Sequence, residues 1–489
     1  MIRRISIVSA LVALAVAAIL AFNTWRHSSQ QITVHPAMAV PVDSAAVAAR
    51  LGDAIRFRTI SFEHPSAETQ AQLLAFRAYL ERAFPHLHAA LQREVVNGYS
   101  LLFTWPGEER TAKPILLMAH QDVVPVASGT EKDWHADPYS GEIRDGFIWG
   151  RGSWDDKGNM MAILEAVETL AAGGFRPRRT IYLAFGHDEE NGGAEGARMI
   201  ARLLADRGVH CEFALDEGLL IAEGILPGLE PPAALIGIAE KGSLTLRLSA
   251  YATPGHSSMP PARSAIGALA AAIGRVQAAP MPAAIAGVTA QMFDAIAPEM
   301  SGFARVAMSN LWLFGPMVRG QLESSPSTNA LIRTTTAITV IRGGDKNNAL
   351  PGQAEALIDF RLLPGDTADK VIEHVRRVVR DEHIRIAPAS PAEEPSRVSS
   401  VTSTSYRVIE RTIREVLPGT IVAPGLLIAA TDSRHMSAVA DDIYRFSPVR
   451  AHAEDLPRFH GTDERMSVAN YTELIRFYGA LIQNAAGSH

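Results

Sequence analysis

Acidic residues and histidines fall in short clusters along this sequence, most of them directly after an apolar run. His120 and Asp122 follow the run Pro114–Ala119. On an extended chain, residues two apart share a side, so Asp122 can orient the His120 imidazole while that ring binds a metal. Alone, the pair fits an exposed strand end equally well. Gly150-Arg-Gly-Ser-Trp-Asp155-Asp156-Lys157-Gly158 is a glycine-rich loop that lets a carboxylate approach a crowded site. The two oxygens of one carboxylate can bridge two cations. The alternative is a plain strand-to-helix turn with Asp as the helix cap. Asp188-Glu189-Glu190-Asn191-Gly192-Gly193 places adjacent glutamates after another apolar run. If that segment is extended, one glutamate ligates metal and the other faces a reacting water. Neighbouring acids repel unless a cation or proton compensates. A third apolar run ends Asp216-Glu217-Gly218. A single cluster of this kind is weak, but their recurrence points to one metal-dependent hydrolytic site.

The elements that must position these residues can be read from periodicity. Pro114–Ala119, Thr180–Phe185 and Glu212–Leu215 read as buried strands, alternating with helices at Asn159–Ala172 and about Ala194–Gly208. Ala45–Phe57 reads as a further helix before them. Strands alternating with helices predict an α/β domain with a mostly parallel sheet, and ligands gather at the carboxyl ends of such strands. The pattern changes at Ser243–Ala250, where polar and apolar residues alternate. Further alternation over Thr334–Ile341 and Ala354–Leu362, with helices over Ser264–Gln277 and Thr367–Arg380, predicts an antiparallel sheet with helices on one face. The predicted organisation is a catalytic domain over 45–240 and 390–489, interrupted by a smaller α+β lid over 241–389. The Pro- and Ser-rich stretch Ala387–Ser403 is the return linker. Met281–Val318, rich in Met, Phe and Trp, suits packing, a subunit contact or the lining for an apolar substrate group.

Composition narrows the class. The 489 residues exceed one ordinary domain, and 47% hydrophobic with 20% charged residues is normal for a globular protein. A formal net charge of −6 and the lack of a basic stripe give no reason to expect nucleic acid. The single cysteine, Cys211, excludes a disulfide framework and a cysteine-rich zinc site. At the N-terminus, Arg3 and Arg4 precede an uncharged apolar run from Ile5 to Phe22, at the short end of what spans a bilayer. It reads as a signal peptide or an uncleaved membrane anchor within residues 1–30. The bulky Phe22-Asn23-Thr24-Trp25 favours the anchor. Either way the body is exported, to be membrane-anchored or periplasmic/secreted. A polar linker, about Arg26 to Ser44, follows.

The sequence resembles the dizinc metallopeptidases that include carboxypeptidase S, aminoacylase, carnosinase and glutamate carboxypeptidase. Within these it is most similar to the carboxypeptidase S and secreted N-acyl amino acid hydrolase group. The resemblance runs from about Ala45 to Asn484. It rests on Met118-Ala-His-Gln-Asp-Val-Val-Pro125, Gly150-Arg-Gly-Ser-Trp-Asp-Asp-Lys157, Asp188-Glu-Glu-Asn-Gly-Gly193, Leu215-Asp-Glu-Gly218 and Phe459-His-Gly-Thr-Asp463. It implies a zinc-peptidase fold and two zinc ions per chain. His120 and Asp216 would hold one ion and Glu190 and His460 the other, with Asp155 bridging. Glu189 would be the general base and Asp122 the orienting partner of His120. His460 is assigned by the resemblance alone, since spacing does not single it out. His256, in Pro254-Gly-His256, resembles a lid histidine that contacts the scissile carbonyl and, in dimeric members, comes from the partner subunit, so a homodimer is compatible. Asn347, Asn348 and Arg361 resemble positions that hold a substrate carboxylate, with Arg434 in reserve. A bidentate guanidinium suits that task.

The implied reaction is zinc-dependent hydrolysis of an amide or peptide bond beside a free carboxylate. Water would be activated between the zincs, and the substrate would be a small peptide or N-acyl amino acid. A dipeptidase or aminoacylase with the same metals is the neighbouring alternative. A non-catalytic anchored binding protein is the alternative from another class. The presence of Glu189 argues against it, because a retired site has no use for a base beside its ligands.

Overall fold

The structure is a computed structural model that describes residues 2–36, 41–63 and 66–487. It begins with helix α1, Ile2–Arg26, whose apolar stretch is almost wholly exposed. The expected linker after it has no regular structure where it is described, and residues 37–40 lie outside the described part. Helix α2, Ser44–Ile55, starts where the Asp43 carboxylate accepts N–H groups from Ala45 and Ala46. Such a cap satisfies donors that the first turn leaves free. α2 buries Val47, Leu51, Ala54 and Ile55 along one stripe.

Strands follow as β1 (Gln92–Val96), β2 (Ser100–Trp105) and β3 (Ile115–His120). After helix α3 (Lys157–Ala172) come β4 (Ile181–Gly186), helix α4 (Ala197–Asp206), β5 (Cys211–Ala222) and β6 (Ala233–Glu240). The chain then makes β7 (Gly242–Tyr251), helices α5 (Ala265–Ala278), α6 (Gly302–Ser309) and α7 (Leu311–Glu323), and strands β8 (Thr335–Gly343) and β9 (Gln353–Leu362). Helix α8 (Ala368–Val379), β10 (Ile384–Pro388), β11 (Ile421–Leu427), β12 (Ala440–Ala451) and helix α9 (Val468–Ala486) complete the elements used below.

The central sheet has eight strands in the order β1-β2-β4-β3-β5-β12-β6-β11. The pairs β3–β4, β3–β5, β5–β12 and β6–β11 are parallel, while β1, β2 and β4 form an antiparallel edge. Both faces are covered, which is why β3 and β4 read as nearly continuous apolar runs. Alternate side chains divide between two cores. Leu101, Phe103, Ile115, Leu117 and Leu183 join α2, α3 and α9 on one face. Leu102, Leu116, Met118 and Ala184 join α4 on the other.

One expectation is corrected here. The third strand does not end at Asp216 but runs as β5 to Ala222. Its pairing with β12 slips between Asp216, opposite Arg445, and Leu219, opposite Phe446. Gly218 sits at φ +148°, with Arg445 Cβ only 2.8 Å from where a Cβ would stand. The strand therefore bulges at Glu217 and Gly218 and then resumes, a device that re-aims a side chain in mid-strand.

The segment between β6 and β11 forms its own four-stranded antiparallel sheet, β8-β9-β7-β10. Leu244, Leu246 and Leu248 on β7 and Ala356, Ile358 and Phe360 on β9 meet Leu269 of α5 and Val371, Val375 and Val379 of α8. The valines recur every four residues, so one stripe of α8 enters this core. The Met281–Val318 region divides. Val288 is buried in the main core, and Met292 and Ile296 pack with Leu229 and Ile421, whereas Phe303, Trp312 and Met317 are exposed.

A fully buried pair secures the junction of β6 and β12. Arg445 Nε lies 3.1 Å from Glu240 Oε2, and that oxygen also accepts N–H and O–H from Thr431. Glu240→Ala strands a buried guanidinium, so unfolding free energy should fall by about 3–5 kcal/mol. Urea denaturation of the detergent-solubilised chain checks this, with Glu240→Gln expected to lose less.

Candidate metal centre

The site is assembled at the carboxyl ends of β3 and β4 and at the bulge of β5. His120, the last residue of β3, is buried, and its Nδ1 lies 2.9 Å from the Asp122 carbonyl oxygen and 3.4 Å from Asp122 Oδ1. A proton on Nδ1 leaves Nε2 as the metal-facing atom. That atom meets Asp155 Oδ1 at 2.9 Å and Glu217 Oε1 at 3.2 Å. Nε2 therefore faces anionic oxygens, an arrangement that requires either a proton or a metal cation between them.

Asp155 is presented by the 150–156 loop, which is shaped by the buried Glu464. Glu464 Oε1 accepts N–H groups from Gly152, Trp154 and Asp155, and its Oε2 pairs with Arg151 at 2.5 Å. Gly152, at φ +88°, lets the loop turn there. Asp155 directs Oδ1 to His120 and Oδ2 to His460 Nε2, at 2.7 Å. Asp156 occupies the cap position of α3, yet its side chain makes no capping bond. It instead accepts the His120 N–H at 3.2 Å. The helix-cap alternative thus holds for the position of Asp156, but without the side-chain bond of a cap.

A second correction concerns the glutamates. Glu189–Asn191 form a single turn of 3₁₀ helix rather than an extended segment. The Asp122 carboxylate accepts the N–H groups of Glu189 and Glu190, each at 3.1 Å, and Gly192, at φ +95°, closes the turn. Asp122 thus supports both the His120 ring and the glutamate turn. Glu190 Oε2 lies 3.3 Å from His460 Nε2, and its buried Oε1 has no partner among the described residues. Glu189 Oε2 stands 4.0 Å from His120 Nε2. His460 itself lies at φ +58° on a loop, stacked on Phe459.

β5 delivers two carboxylates where the sequence reading used one. Asp216 Oδ1 and Oδ2 accept N–H groups from Glu217 and Ser433, while Glu217 makes the contact with His120. Glu217 and Asp156 were missed as members of the cluster, although both adjoin residues already singled out. Asp432 was missed as well. It is buried, neither carboxylate oxygen has a partner, and it packs against Gly186 and Gly193. Its only sequence signal was its place beside Arg434.

The electrostatics follow from this crowding. Burial pushes Asp216 up to about 6 against hydrogen bonds from the Glu217 and Ser433 amides, while burial reinforced by like-charged neighbours pushes Glu217 up to about 8 and raises Asp156, Glu189, Glu190 and Asp432. Hydrogen bonds to Asp155 and Glu190 lift His460 to about 10. Burial opposes a charged His120, yet Glu217, Asp122 and Asp155 outweigh it and hold the ring well above the ordinary imidazole value. The donor atoms of His120, Asp155 and Glu190 all lie within 4.8 Å of one another, as do those of His120, Asp156 and Glu217. Oxygen and imidazole donors, with Glu190 Oε1 and Asp156 Oδ1 unpartnered among the described residues, fit divalent metal. Cys211 lies apart, buried in the second core.

The expected substrate-binding residues lie outside this cluster. His256 is exposed, bonds Ser258 Oγ at 2.8 Å and pairs in register with Ala349, next to Asn347 and Asn348. Arg361 lies on β9, 3.3 Å from Asp359, and Arg434 lies 2.9 Å from Glu393.

With this geometry in place, the protein class is defined: residues 116–484 match Peptidase family M20/M25/M40, and the chain belongs to that family of metal-dependent peptidases. It is a hydrolase of mixed α/β fold. It is 42% identical over 475 residues to the probable carboxypeptidase S-like 2 of Dictyostelium discoideum, covering 95% of this chain and 91% of that one. It is 40% identical over 440 residues to the N-fatty-acyl-amino acid synthase/hydrolase PM20D1 of Homo sapiens, covering 89% and 87%. In fold it is similar to the M20 family metallo-carboxypeptidase Sso-CP2 from Sulfolobus solfataricus, with a TM-score of 0.64 and 18% identity over 91% and 99% of the two chains. Human carnosine dipeptidase 1 is similar in fold too, with a TM-score of 0.61 and 16% identity over 90% and 96%.

Asp155 is the residue through which His120 and His460 meet. Asp155→Asn should therefore lower metal content more than Asp156→Asn, as measured by inductively coupled plasma mass spectrometry on folded protein.

Proposed function

We propose that the protein hydrolyses the amide bond of an N-acyl amino acid, or the C-terminal peptide bond of a small peptide, using two zinc ions per chain. The observation that carries this reading is Asp155, which turns one oxygen to His120 and the other to His460. His120 with Asp216, assisted by Glu217, would hold one ion, and Glu190 with His460 the other. A thiol-free set of imidazoles and carboxylates suits catalytic zinc. Bound divalent metal supplies Lewis-acid polarisation of a carbonyl and lowers the pKa of water towards neutrality.

The chain's own residues complete the reaction. Glu189 takes a proton from the attacking water as its oxygen adds to the carbonyl carbon. The C–N bond then breaks, and Glu189 returns the proton to the leaving nitrogen. Asp122 keeps the His120 ring in one orientation throughout. Arg361, with Asn347 and Asn348, would receive the substrate carboxylate as the lid closes, with Arg434 as the alternative. His256 would steady the carbonyl oxygen. Its exposed position on the lid favours a homodimer in which it reaches a neighbouring copy's site.

The names of the relatives support acyl amino acids and peptides as the substrate class. An apolar cavity of about 340 Å³ between lid and main sheet, lined by Met281, Val288, Ile332, Leu363 and Leu426, suits an acyl group. The N-terminal helix would be an uncleaved anchor. Its Asn23, Thr24 and His27 make specific polar contacts with the body, whereas a discarded signal peptide has no need of any.

Amidating the substrate carboxylate should cost more turnover than shortening the acyl chain, because it removes the charge that a bidentate guanidinium pairs with. Equal kcat/KM for acid and amide would contradict the assignment. Glu189→Gln should keep its metal and lose turnover by about 10²–10⁴-fold. Glu190→Gln should instead lose metal. Rates and metal content measured on both variants separate a missing base from a missing ligand.

A further inference from the structure

The end of α1 is built into the body. Val16, Leu20, Asn23, Thr24 and His27 form one partly buried stripe, while Ile5 to Ala15 are exposed. The stripe packs on α6 and ends at a polar joint around Asn310, which is fully buried between α6 and α7. The Asn310 amide nitrogen lies 3.3 Å from the Leu20 carbonyl oxygen and 3.1 Å from Thr24 Oγ1, and its Oδ1 accepts from Asn23 at 2.9 Å. His27 and Gln30 then bond Asp294, and Gln31 bonds Val422. Polar contacts with the body thus begin where the apolar run stops.

This joint places α6 and the start of α7 beside the last apolar turns of α1. Val16 lies eight residues before Thr24, about 12 Å along a helix that rises roughly 1.5 Å per residue. Whatever packs there shares the depth of those turns in any bilayer that α1 crosses. The neighbouring surface suits that depth. None of the residues of α7 is buried, although most are apolar. Trp312, Leu313, Pro316, Met317 and Gly320 are exposed at positions one, four, five and eight apart, which is one helical face. Phe303 extends it from α6 and meets Phe314 edge-on at 5.4 Å. The Trp312 indole donates to Asn310 Oδ1 at 3.2 Å, so a tryptophan stands at the joint itself. Trp25 stands exposed near the same end of α1. Tryptophans at this level are the usual marker of a membrane interface. Arg319 and Glu323, seven and eleven residues after Trp312, fall on the Trp312 side of the same face towards the end of α7 and lie 3.9 Å apart.

We propose that α6 and α7 form a bilayer-docking surface, with Phe303, Trp312, Leu313, Pro316 and Met317 embedded in the lipid interface beside the membrane-spanning α1. The occupant is lipid because the patch is continuous with an apolar helix for which lipid is the suitable solvent. Interfacial helices bury their apolar face some 5–10 Å deep, within the span set by the joint. The body would thereby be held at two places and could not swing freely about a single tether. This inference rests on the uncleaved-anchor reading and extends it to a second element.

The test uses the full chain in phosphatidylcholine nanodiscs with an environment-sensitive NBD thiol label at Met317→Cys or, separately, Phe303→Cys. Phe62→Cys, exposed on the catalytic body, is the control. Native Cys211 is buried, with its thiol pushed up to about 12, and stays unlabelled. Labels at 317 and 303 should be blue-shifted, quenched by doxyl-labelled lipid, and several-fold less quenched by aqueous iodide than the label at 62. If an intact chain shows iodide quenching at 317 and 303 equal to that at 62, the docking surface is overturned and the anchor stands. Protection from iodide that grows with chain density, without lipid quenching, overturns it in favour of a second copy. An intact mass lacking residues 1–26 overturns both the anchor and the docking surface.

Discussion

Asp122, Asp155, Asp156, Glu189, Glu190, Asp216, Glu217 and Asp432 are crowded around two imidazoles in a largely buried space, and this concentration of negative charge governs the rest of the site. Two like charges 4 Å apart repel by about 4 kcal/mol even at an effective dielectric of 20. Several such pairs would consume the 5–15 kcal/mol that keeps an ordinary domain folded. Without metal, the cluster can persist only by holding protons, as the raised Glu217 and His460 pKa values indicate. Divalent cations remove the same repulsion and leave the carboxylates ionised. The energetic need of the fold and the chemical need of a hydrolase are therefore met by the same ions.

The backbone around the cluster makes this density possible. Glu464 gathers three N–H groups of the loop that presents Asp155, and Asp122 gathers those of Glu189 and Glu190. Each carboxylate is tied to main-chain donors, which fixes a loop, and Glu464 adds one charged partner, Arg151. The β5 bulge has a related effect. By interrupting the ladder at Gly218, it lets adjacent residues serve different partners: Asp216 takes backbone amides and Glu217 takes the His120 ring.

The lid and the anchor are organised by apolar packing instead. The lid has its own core between one face of its sheet and α5 and α8. Its polar candidates, His256, Asn347, Asn348 and Arg361, stand apart from the metal cluster. A substrate gripped by both would have to bridge the two. α1 is fastened through Asn310, a buried amide whose donors and acceptor are all engaged.

Much of this was legible in the sequence because it depends on local rules. The buried strands β3 and β4 appear as apolar runs, β7 and β9 as alternation, and α8 as a stripe of valines, since side-chain direction follows backbone period. His120, Asp155 and the Glu189–Glu190 pair were legible as candidates for metal because they recur after apolar runs, whereas only likeness to a family implied which glutamate would be the ligand. His460 came only from likeness to a family, since nothing near it in sequence marks a ligand. The rest was decided by the tertiary structure. The turn at Glu189, the onward run of β5 past Asp216, and the presence of Glu217, Asp156 and Asp432 all depend on partners distant along the chain: Asp122, Arg445 and His120. Periodicity reports which face of an element is buried, but not which distant group will accept its hydrogen bonds. In this site those long-range hydrogen bonds and charges decide where each carboxylate points.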